Sequence, residues 1–242
     1  MKRIHLPYLQ VVFMLLVCLN TSAQKQFVLD PNAVVREVSG SFTSIKVSSG
    51  IHVFLSNAET EVLAVSASEE KYRVGIKTEI NNGELHIFYM GDKMRYSNNF
   101  KINVYVGYKN LEQLQATGAS NILIAGLMEL PLLNVQLSGA SELKGQLKIT
   151  DLNLKLSGAS EAKISGVVKN MNIESSGASD IKGYELTTEN CNVKASGASD
   201  VNITVTKDVA ANASGASNIF YKGSAVLKLK QSSGASSVAR VE

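Results

Sequence analysis

The sequence of 242 residues predicts an all-β protein, a right-handed parallel β-solenoid (β-helix) with coils of about 19–20 residues. Three observations predict it: a tetrapeptide that recurs at a regular period, apolar and polar residues that alternate around it, and polar residues that align in columns from repeat to repeat. The tetrapeptide is Ser-Gly-Ala-Ser, with Thr first in its earliest copy, and its glycines stand at positions 118, 139, 158, 177, 197, 215 and 234. The intervals of 21, 19, 19, 20, 18 and 19 residues indicate one coil per repeat. The right hand follows from the general preference of parallel crossover connections.

Apolar and polar positions alternate on both sides of this SGAS motif, which is typical of strands with one buried face. The apolar residues four positions before the glycines are Leu114, Val135, Leu154, Ile173, Val193 and Ala211. Those four positions after the glycines are Ile122, Leu143, Ala162, Ile181, Val201, Ile219 and Val238. Each coil is therefore expected to contain at least two short strands, with the motif at the bend between them.

Polar residues form outward columns that test the same prediction. The positions three after the glycines hold Asn121, Glu142, Glu161, Asp180, Asp200, Asn218 and Ser237, and the positions five after hold Lys144, Lys163 and Lys182 in the middle repeats. Residues two apart on a strand share a face, so acid and base should lie side by side, each exposed pair contributing about 0.2–1 kcal/mol. The positions five before the glycines hold Asn134, Asn153, Asn172 and Asn192, which predicts a ladder of amide hydrogen bonds.

The repeated serines indicate a structural corner and not a set of nucleophiles. A serine nucleophile needs a base within hydrogen-bond reach, and after residue 24 the histidines are His52 and His86, both outside the repeats. Glycine accepts backbone angles that other residues avoid, and small side chains let identical corners stack about 4.8 Å apart. No catalytic residue, cofactor or metal is predicted, although the acidic column leaves open calcium binding or polysaccharide cleavage.

Residues 25–110 form a β-rich N-terminal portion, and residues 111–242 form the SGAS solenoid. Segments 42–47, 51–55, 62–66, 74–80, 84–89 and 101–106 have the composition of strands. Asn81-Asn82-Gly83 predicts a tight turn between two of them. No helix is predicted after residue 24, and the portion 25–110 forms either irregular first coils or a cap.

Residues 1–24 are predicted to be a secretory signal peptide. Lys2 and Arg3 precede an apolar run at 11–17, and the small residues Thr21-Ser22-Ala23 follow it. Val17 stands where a lipobox carries a small residue, which disfavours a lipid anchor at Cys18. No later segment approaches the roughly 18 apolar residues of a membrane span. The protein is therefore expected to be exported to the periplasm or the outer cell surface.

Charge and cysteine content exclude further classes. Without Lys2 and Arg3 the 24 basic residues become 22, against 21 acidic ones, so the net charge is +1. Such a balance provides no basic stripe for a phosphate backbone, and nucleic acid is not an expected partner. Cys191 is the single cysteine after the signal, which precludes an intramolecular disulfide, and its column predicts a place in the core.

Three stretches together resemble a known family. Residues 42–53 read Phe-Thr-Ser-Ile-Lys-Val-Ser-Ser-Gly-Ile-His-Val, residues 82–87 read Asn-Gly-Glu-Leu-His-Ile, and Gly-Ala-Ser recurs before Asn, Asp or Glu. Over essentially the whole chain after the signal, this combination resembles the putative auto-transporter adhesin, head GIN domain family of secreted Gram-negative proteins. The resemblance implies a β-helical, exported protein associated with adhesion, and it transfers no catalytic residues.

A segment at 88–100 interrupts the strands with aromatic, methionine and charged residues, a composition suited to an adaptable contact surface. The residues predicted to contact a ligand are Tyr89, Met90, Met94, Arg95 and Tyr96. The alternative interpretation is an ordinary hairpin loop with partly buried rings.

The sequence thus predicts a non-enzymatic adhesion, interaction or scaffold module at the cell surface or in the periplasm. The alternatives are a carbohydrate-active β-helix that binds or cleaves polysaccharide, and a binder of small ligands or lipids. The expected partner is a protein or a glycan. The strand edge after Gly234 also predicts self-association through solenoid ends, or screening by Arg240 and Glu242.

Overall fold

The computed structural model describes residues 30–91 and 101–242. Within these residues sixteen strands join in one sheet, which winds into a parallel β-solenoid of about seven coils and confirms the predicted fold class. The strands are β1 (Val34–Arg36), β2 (Ser44–Val47), β3 (His52–Asn57), β4 (Val62–Ala67), β5 (Ile76–Asn81), β6 (Glu84–Tyr89), β7 (Ile102–Tyr108), β8 (Gln113–Ala116), β9 (Asn121–Leu137), β10 (Glu142–Leu156), β11 (Glu161–Ser175), β12 (Asp180–Ala195), β13 (Asp200–Ala213), β14 (Asn218–Lys222), β15 (Val226–Ser232) and β16 (Ser237–Arg240). One short helix, α1 (Glu70–Gly75), follows β4.

Each full coil has three sides, as the burial along β10 shows. Buried and unburied residues alternate along this strand except at 144–146, where three successive residues escape burial, and at 150–151, where two do. These two places are bends, which we call the second corner and the third corner; the SGAS motif is the SGAS corner. The first side spans 142–144 in this coil, the second side 147–149 and the third side 152–156. The sequence predicted the sides flanking the motif, and the second side was missed.

The interior is a stack of aliphatic side chains. The inward residues of β10 are Leu143, Leu147, Ile149, Leu152, Leu154 and Leu156, each at most 3% exposed. Cys191 is buried between Met171 and Val209, its partners on the neighbouring strands. Burial raises the pKa of its thiol, so the side chain behaves as the small hydrophobe that its column predicted.

The SGAS corner stacks backbone directly on backbone. The seven motif glycines have φ between 73° and 78°. From the second motif onward, the alanine N–H donates to the glycine carbonyl of the preceding motif at 2.7–2.8 Å. A Cβ on any of these six glycines would lie 2.5–2.7 Å from that same oxygen, closer than real Cβ atoms approach. Glycine is therefore required both by the left-handed conformation and by the contact between coils.

The last serine braces the corner in the motifs after the first. In Ser141, Ser160, Ser179 and Ser199 the hydroxyl donates to the carbonyl of the first serine of the same motif at 2.7–2.8 Å. All four are at most 1% exposed. These serines lie inside the fold as hydrogen-bond donors to the backbone, which is the structural role expected of a repeated corner.

The N-terminal layers stack in an order that differs from the chain order. Strands β2 and β3 pair in parallel with β8 and β9, and the turn between them lies against the first SGAS motif. The N–H of Thr117 donates to the carbonyl of Val47 at 2.9 Å, and that of Asn121 to Ile51 at 3.0 Å. On their other edges β2 pairs with β6 and β3 with β7, also in parallel. The layer of β6 and β7 is thus outermost although it follows β2 and β3 in sequence.

Antiparallel strands cover this outer layer. Strand β4 pairs with β7, β1 pairs with β4, and β5 forms a hairpin with β6. Asn82 and Gly83 have φ of 50° and 76°, as a type I′ turn requires, in agreement with the predicted tight turn. Helix α1 corrects the expectation that no helix follows residue 24. With six residues it is too short to leave a periodic signal in the sequence.

Candidate functional site

The predicted contact residues are only partly described by the structure. Met94, Arg95 and Tyr96 lie outside the described residues. Tyr89 packs partly buried against the core, close to Gly75 and Gly91. Met90 is 65% exposed, and its N–H donates to the carbonyl of Gly75 at 2.8 Å. Of the described pair, Tyr89 contributes to packing and Met90 faces solvent.

The first side presents two parallel columns of outward side chains. Strand pairing aligns the acidic column Asn121, Glu142, Glu161, Asp180, Asp200, Asn218 and Ser237. The same pairing aligns the lysine column Leu123, Lys144, Lys163, Lys182, Asn202, Phe220 and Ala239. Neighbours within a column are one strand spacing apart, about 4.8 Å. The columns counted from the motif glycines are therefore real rows on one face.

Ion pairing between the two columns is concentrated on one lysine. The ammonium of Lys182 lies 2.8 Å from Glu161 and 3.3 Å from Asp180. The hydrogen bond to Glu161 raises the pKa of Lys182, burial opposes this shift, and Asp180 adds to it. Among the ion pairs of residues 30–91 and 101–242, neither Lys144 nor Lys163 takes part. Of the three expected neighbouring pairs, Asp180–Lys182 forms, whereas Glu142–Lys144 and Glu161–Lys163 are not among the ion pairs of the described residues, and Glu161 pairs with Lys182 instead.

A groove of about 490 Å³ runs along the lysine column at the second corner. Its lining residues are Lys144, Gly145, Lys163, Ile164, Ser165, Lys182, Tyr184, Glu185 and Asn202. Three lysines form one wall, and the second corner of the coils forms the other. Neither the groove nor its aromatic residue was foreseen from the sequence.

The far wall of the groove is a bulge in β12. Gly183 pairs with Ile203 of β13 and Thr187 pairs with the next residue, Thr204, so residues 184–186 have no counterparts on that strand. Gly183 is buried, and a Cβ there would lie 3.0 Å from the carbonyl oxygen of Asn202. Glycine at this position lets the chain turn outward close to its neighbour.

Two contacts from later coils fix the bulge. The hydroxyl of Thr204 donates to the carbonyl of Tyr184 at 2.8 Å. The ammonium of Lys222 lies 5.1 Å from the centre of the Tyr184 ring, within the range of a cation–π contact. Tyr184 remains 38% exposed. The bulge therefore holds an accessible aromatic ring beside the lysines.

Amide ladders follow the third side and the third corner. Asn153 donates to Asn134 at 2.9 Å, and Asn192 donates to Asn172 at 3.0 Å. The predicted Asn column therefore forms two separate hydrogen-bonded pairs. A second ladder was missed: the Asn170 amide donates to Asp151 at 2.8 Å and accepts from Asn190 at 2.9 Å. The sequence does contain a signal for this second ladder. A polar residue stands seven positions before each of four motif glycines, at Asp151, Asn170, Asn190 and Asp208. A smaller groove of about 300 Å³ runs between the two ladders.

The groove at the second corner has the chemistry of a binding site. It offers ammonium groups, the amide of Asn202, the hydroxyl of Ser165 and the ring of Tyr184. Glycoside hydrolysis uses two carboxylates that flank one bond, and this lining contributes one, Glu185. No group of three metal-ligating side chains is arranged to hold an ion within the part of the chain that the structure describes. In the same part, no helix has the length and apolar character needed to cross a membrane.

Comparisons with known proteins agree on a family and a fold. Residues 41–225 match the family model described as "Putative auto-transporter adhesin, head GIN domain". A putative adhesin from Bacteroides fragilis superposes with a TM-score of 0.77 at 18% identity, covering 88% of this chain and 98% of that one. A putative adhesin from Parabacteroides merdae gives 0.67, and a putative lipid binding protein from Parabacteroides distasonis gives 0.65, each at 18% identity with the same coverage. No curated protein matches the chain.

Proposed function

The chain belongs to the putative auto-transporter adhesin, head GIN domain family, and from this premise we propose that it is an exported, non-catalytic adhesion or scaffold module of the cell surface or periplasm. The observation that carries the proposal is the in-register first side. There, aligned columns of charged and polar residues face outward over a rigid aliphatic core. Such a surface holds an extended partner without rearranging, which reduces the entropy lost on binding.

The buried serines support a non-catalytic role. A nucleophilic serine must reach its substrate and a base, whereas the hydroxyls of Ser160 and Ser179 are buried and donate to backbone carbonyls. The motif therefore contributes architecture, and the side chains available to a partner stand on the sides and at the second corner.

The family supports a location outside the cytoplasm. The expected signal peptide at residues 1–24 lies outside the described residues, and the adhesin description of the family fits export. Fractionation of cells that produce the full chain tests this proposal. Recovery of the processed protein in the periplasm or on the surface supports it, and retention of the full-length chain in the cytoplasm contradicts it.

Binding measurements test the proposed role itself. We expect the purified chain to bind at least one class of ligand on an array of glycans and immobilised extracellular-matrix proteins. Absence of binding to every glycan and every matrix protein would refute an adhesion role. The putative lipid binding relative makes vesicle binding the natural comparison, and binding confined to lipid would favour the lipid alternative.

Turnover assays separate this proposal from the carbohydrate-active alternative. A panel of polysaccharides is incubated with the chain and with Asp180→Ala and Asp200→Ala variants, since both carboxylates lie in the acidic column. No release of reducing ends is expected from any of the three proteins. Turnover that either substitution abolishes would overturn the non-catalytic proposal.

A further inference from the structure

From the groove at the second corner, we infer that the protein binds a linear polysaccharide that carries carboxylate groups, held between the lysine column and Tyr184. This inference rests on the proposed interaction role and adds the chemical class of the partner. It follows from three features of the groove: a straight row of cations, an aromatic wall opposite them, and an acidic column behind them.

The cations are spaced regularly along the solenoid axis. Lys144, Lys163 and Lys182 occupy the same register position in β10, β11 and β12. Their Cα atoms therefore follow one another at about 4.8 Å, a single strand spacing. A straight row of cations matches a partner whose negative charges recur along a line, which is the case for an extended anionic chain.

Two of the three lysines are available to such a partner. Lys182 is held by Glu161 at 2.8 Å and Asp180 at 3.3 Å. Lys144 and Lys163 take part in none of the ion pairs found within residues 30–91 and 101–242, and both side chains are exposed. An ammonium group without a carboxylate gains more from an incoming anion than one that already has two.

The opposite wall supplies the contacts that a sugar chain needs besides charge. Tyr184 is 38% exposed; the Thr204 hydroxyl holds its backbone carbonyl, and Lys222 lies 5.1 Å from its ring centre, so the side chain brings an aromatic ring and a hydroxyl to the groove. Ser165 lines the same groove, Asn202 continues the lysine column after Lys182, and both side chains can donate to and accept from hydroxyl groups. A polymer of phosphates alone would leave the ring unused.

The acidic column argues against broad anionic partners. Glu142, Glu161 and Asp180 stand two residues before the lysines on the same outward face. A flat anionic membrane or a nucleic acid duplex laid over this face would meet these carboxylates together with the lysines, and like charges would repel it. A single narrow chain can lie in the groove on the far side of the lysines from the acids.

The test is a titration of the full chain with polygalacturonate, a linear polyuronate, at low and at physiological salt. The variant Lys144→Gln/Lys163→Gln is expected to lose about ten-fold or more in affinity, equivalent to about 1.4 kcal/mol. The matched control is Lys155→Gln/Lys194→Gln, which removes two charges from the third side, where both lysines pair in register with Glu174. The control should change the affinity less than two-fold.

A second pair of variants tests the aromatic wall. Tyr184→Ala should weaken polygalacturonate binding several-fold, whereas Tyr184→Phe, which keeps the ring, should restore most of the affinity. Circular dichroism of each variant confirms that the coils remain folded. Equal losses in the two Tyr184 variants would show that the ring does not contact the sugar.

Three outcomes overturn the inference. They are wild-type affinity in the Lys144→Gln/Lys163→Gln variant, no binding of polygalacturonate by the unmodified chain, and equally tight binding of phosphatidylglycerol vesicles or single-stranded DNA. If the chain binds other glycans or matrix proteins but not polygalacturonate, this inference fails while the proposed adhesion role stands. If nothing on the array is bound, the adhesion role fails as well.

Discussion

At the SGAS corner every coil repeats one geometry, whereas at the second corner the strand pairing shifts register in three of the neighbouring pairs. Between Leu123 and Leu127 the chain advances four residues while β10 advances two, from Lys144 to Gln146. Strand β12 has one residue more than β11 at this corner and three more than β13. The coils between residues 118 and 215 therefore differ in length mainly at the second corner.

The difference has a physical cause. At the SGAS corner each glycine contacts the glycine before it, so an extra residue or a side chain would separate the coils. At the second corner several positions face solvent, and the chain can bulge outward without disturbing the core. The rigid corner thus aligns the coils, and the tolerant corner carries the groove with Tyr184.

The largest expected effect comes from adding one methyl group at each kind of corner. Gly177→Ala places a Cβ 2.5 Å from the carbonyl oxygen of Gly158 at φ +78°, whereas Gly126→Ala, at φ +86°, meets nothing within 4 Å. We expect a loss of about 2–4 kcal/mol of unfolding free energy for the first variant, and about 1–2 kcal/mol, from backbone strain alone, for the second. Urea denaturation measures both, and equal losses would remove the distinction between stacked and open corners.

A smaller effect separates two serines of the SGAS corner. The buried hydroxyl of Ser179 donates to the Ser176 carbonyl at 2.8 Å, whereas the buried hydroxyl of Ser120 has no hydrogen bond within the described residues. Ser179→Ala should cost about 1 kcal/mol of unfolding free energy, and Ser120→Ala should be neutral or stabilising. The same denaturation experiment compares them, and a cost at Ser120 as large as at Ser179 would indicate that the corner hydroxyls do not brace the motif.

The third corner should respond less than either of these. Asn170→Ala removes two ladder hydrogen bonds, those with Asp151 and Asn190, whereas Asn153→Ala removes the bond to Asn134. Because Asn153 is exposed and Asn170 is partly exposed, we expect about 0.5–1 kcal/mol for the first substitution and about half of that for the second. Thermal melts of the two variants provide the comparison. If Asn170→Ala lost more unfolding free energy than Gly177→Ala, the third corner and not the SGAS corner would contribute most to holding the coils together.

The smallest expected effect is a dependence of the unfolding free energy on pH. It should not change the difference in stability between the two glycine variants. Burial lowers the pKa of His52 below its ordinary value of 6.5, with the Lys101 charge acting the same way and Glu142 opposing. The unfolded chain therefore binds a proton at higher pH than the folded one, so the stability present above pH 6.5 falls as pH drops from 6.5 towards the folded pKa. Neutral His52 also accepts from the Asn121 amide at 3.3 Å when its Nδ1 is unprotonated.

Denaturation at several pH values between 7 and 5 measures this slope, and His52→Asn should flatten it. The difference between Gly177→Ala and Gly126→Ala should stay the same across this range, because neither corner contains His52. A slope of the opposite sign in the unmodified chain would contradict the lowered pKa of this residue.

The sequence predicted the parts of the fold that repeat. The SGAS glycines set the coil, and the columns counted from them placed the acids, the lysines and the asparagines correctly on outward faces. Positions counted forward from a motif glycine lose their register at the second corner, because the number of residues there varies from coil to coil. The second side and the Tyr184 bulge were therefore missed. The out-of-order layer of β6 and β7 also escaped, since pairing partners distant in sequence leave no periodic trace.

The prediction for the segment at 88–100 stands as a prediction. Within its described part, Tyr89 packs partly buried against the core, which fits the alternative of partly buried rings, and Met90 is exposed. Composition identified the segment, but burial of a single ring depends on neighbours such as Gly75, which no local pattern reveals.

The SGAS corner also makes the coils interchangeable during evolution. Each corner offers an alanine N–H to the coil before it and a glycine carbonyl to the coil after it, as Ala159 and Gly158 do. A tandem duplication of one such coil in the gene would find both partners already in place and lengthen the protein by one strand spacing, about 4.8 Å. The bulge at Tyr184 belongs to one coil, so the length of the solenoid can change without altering the bulge.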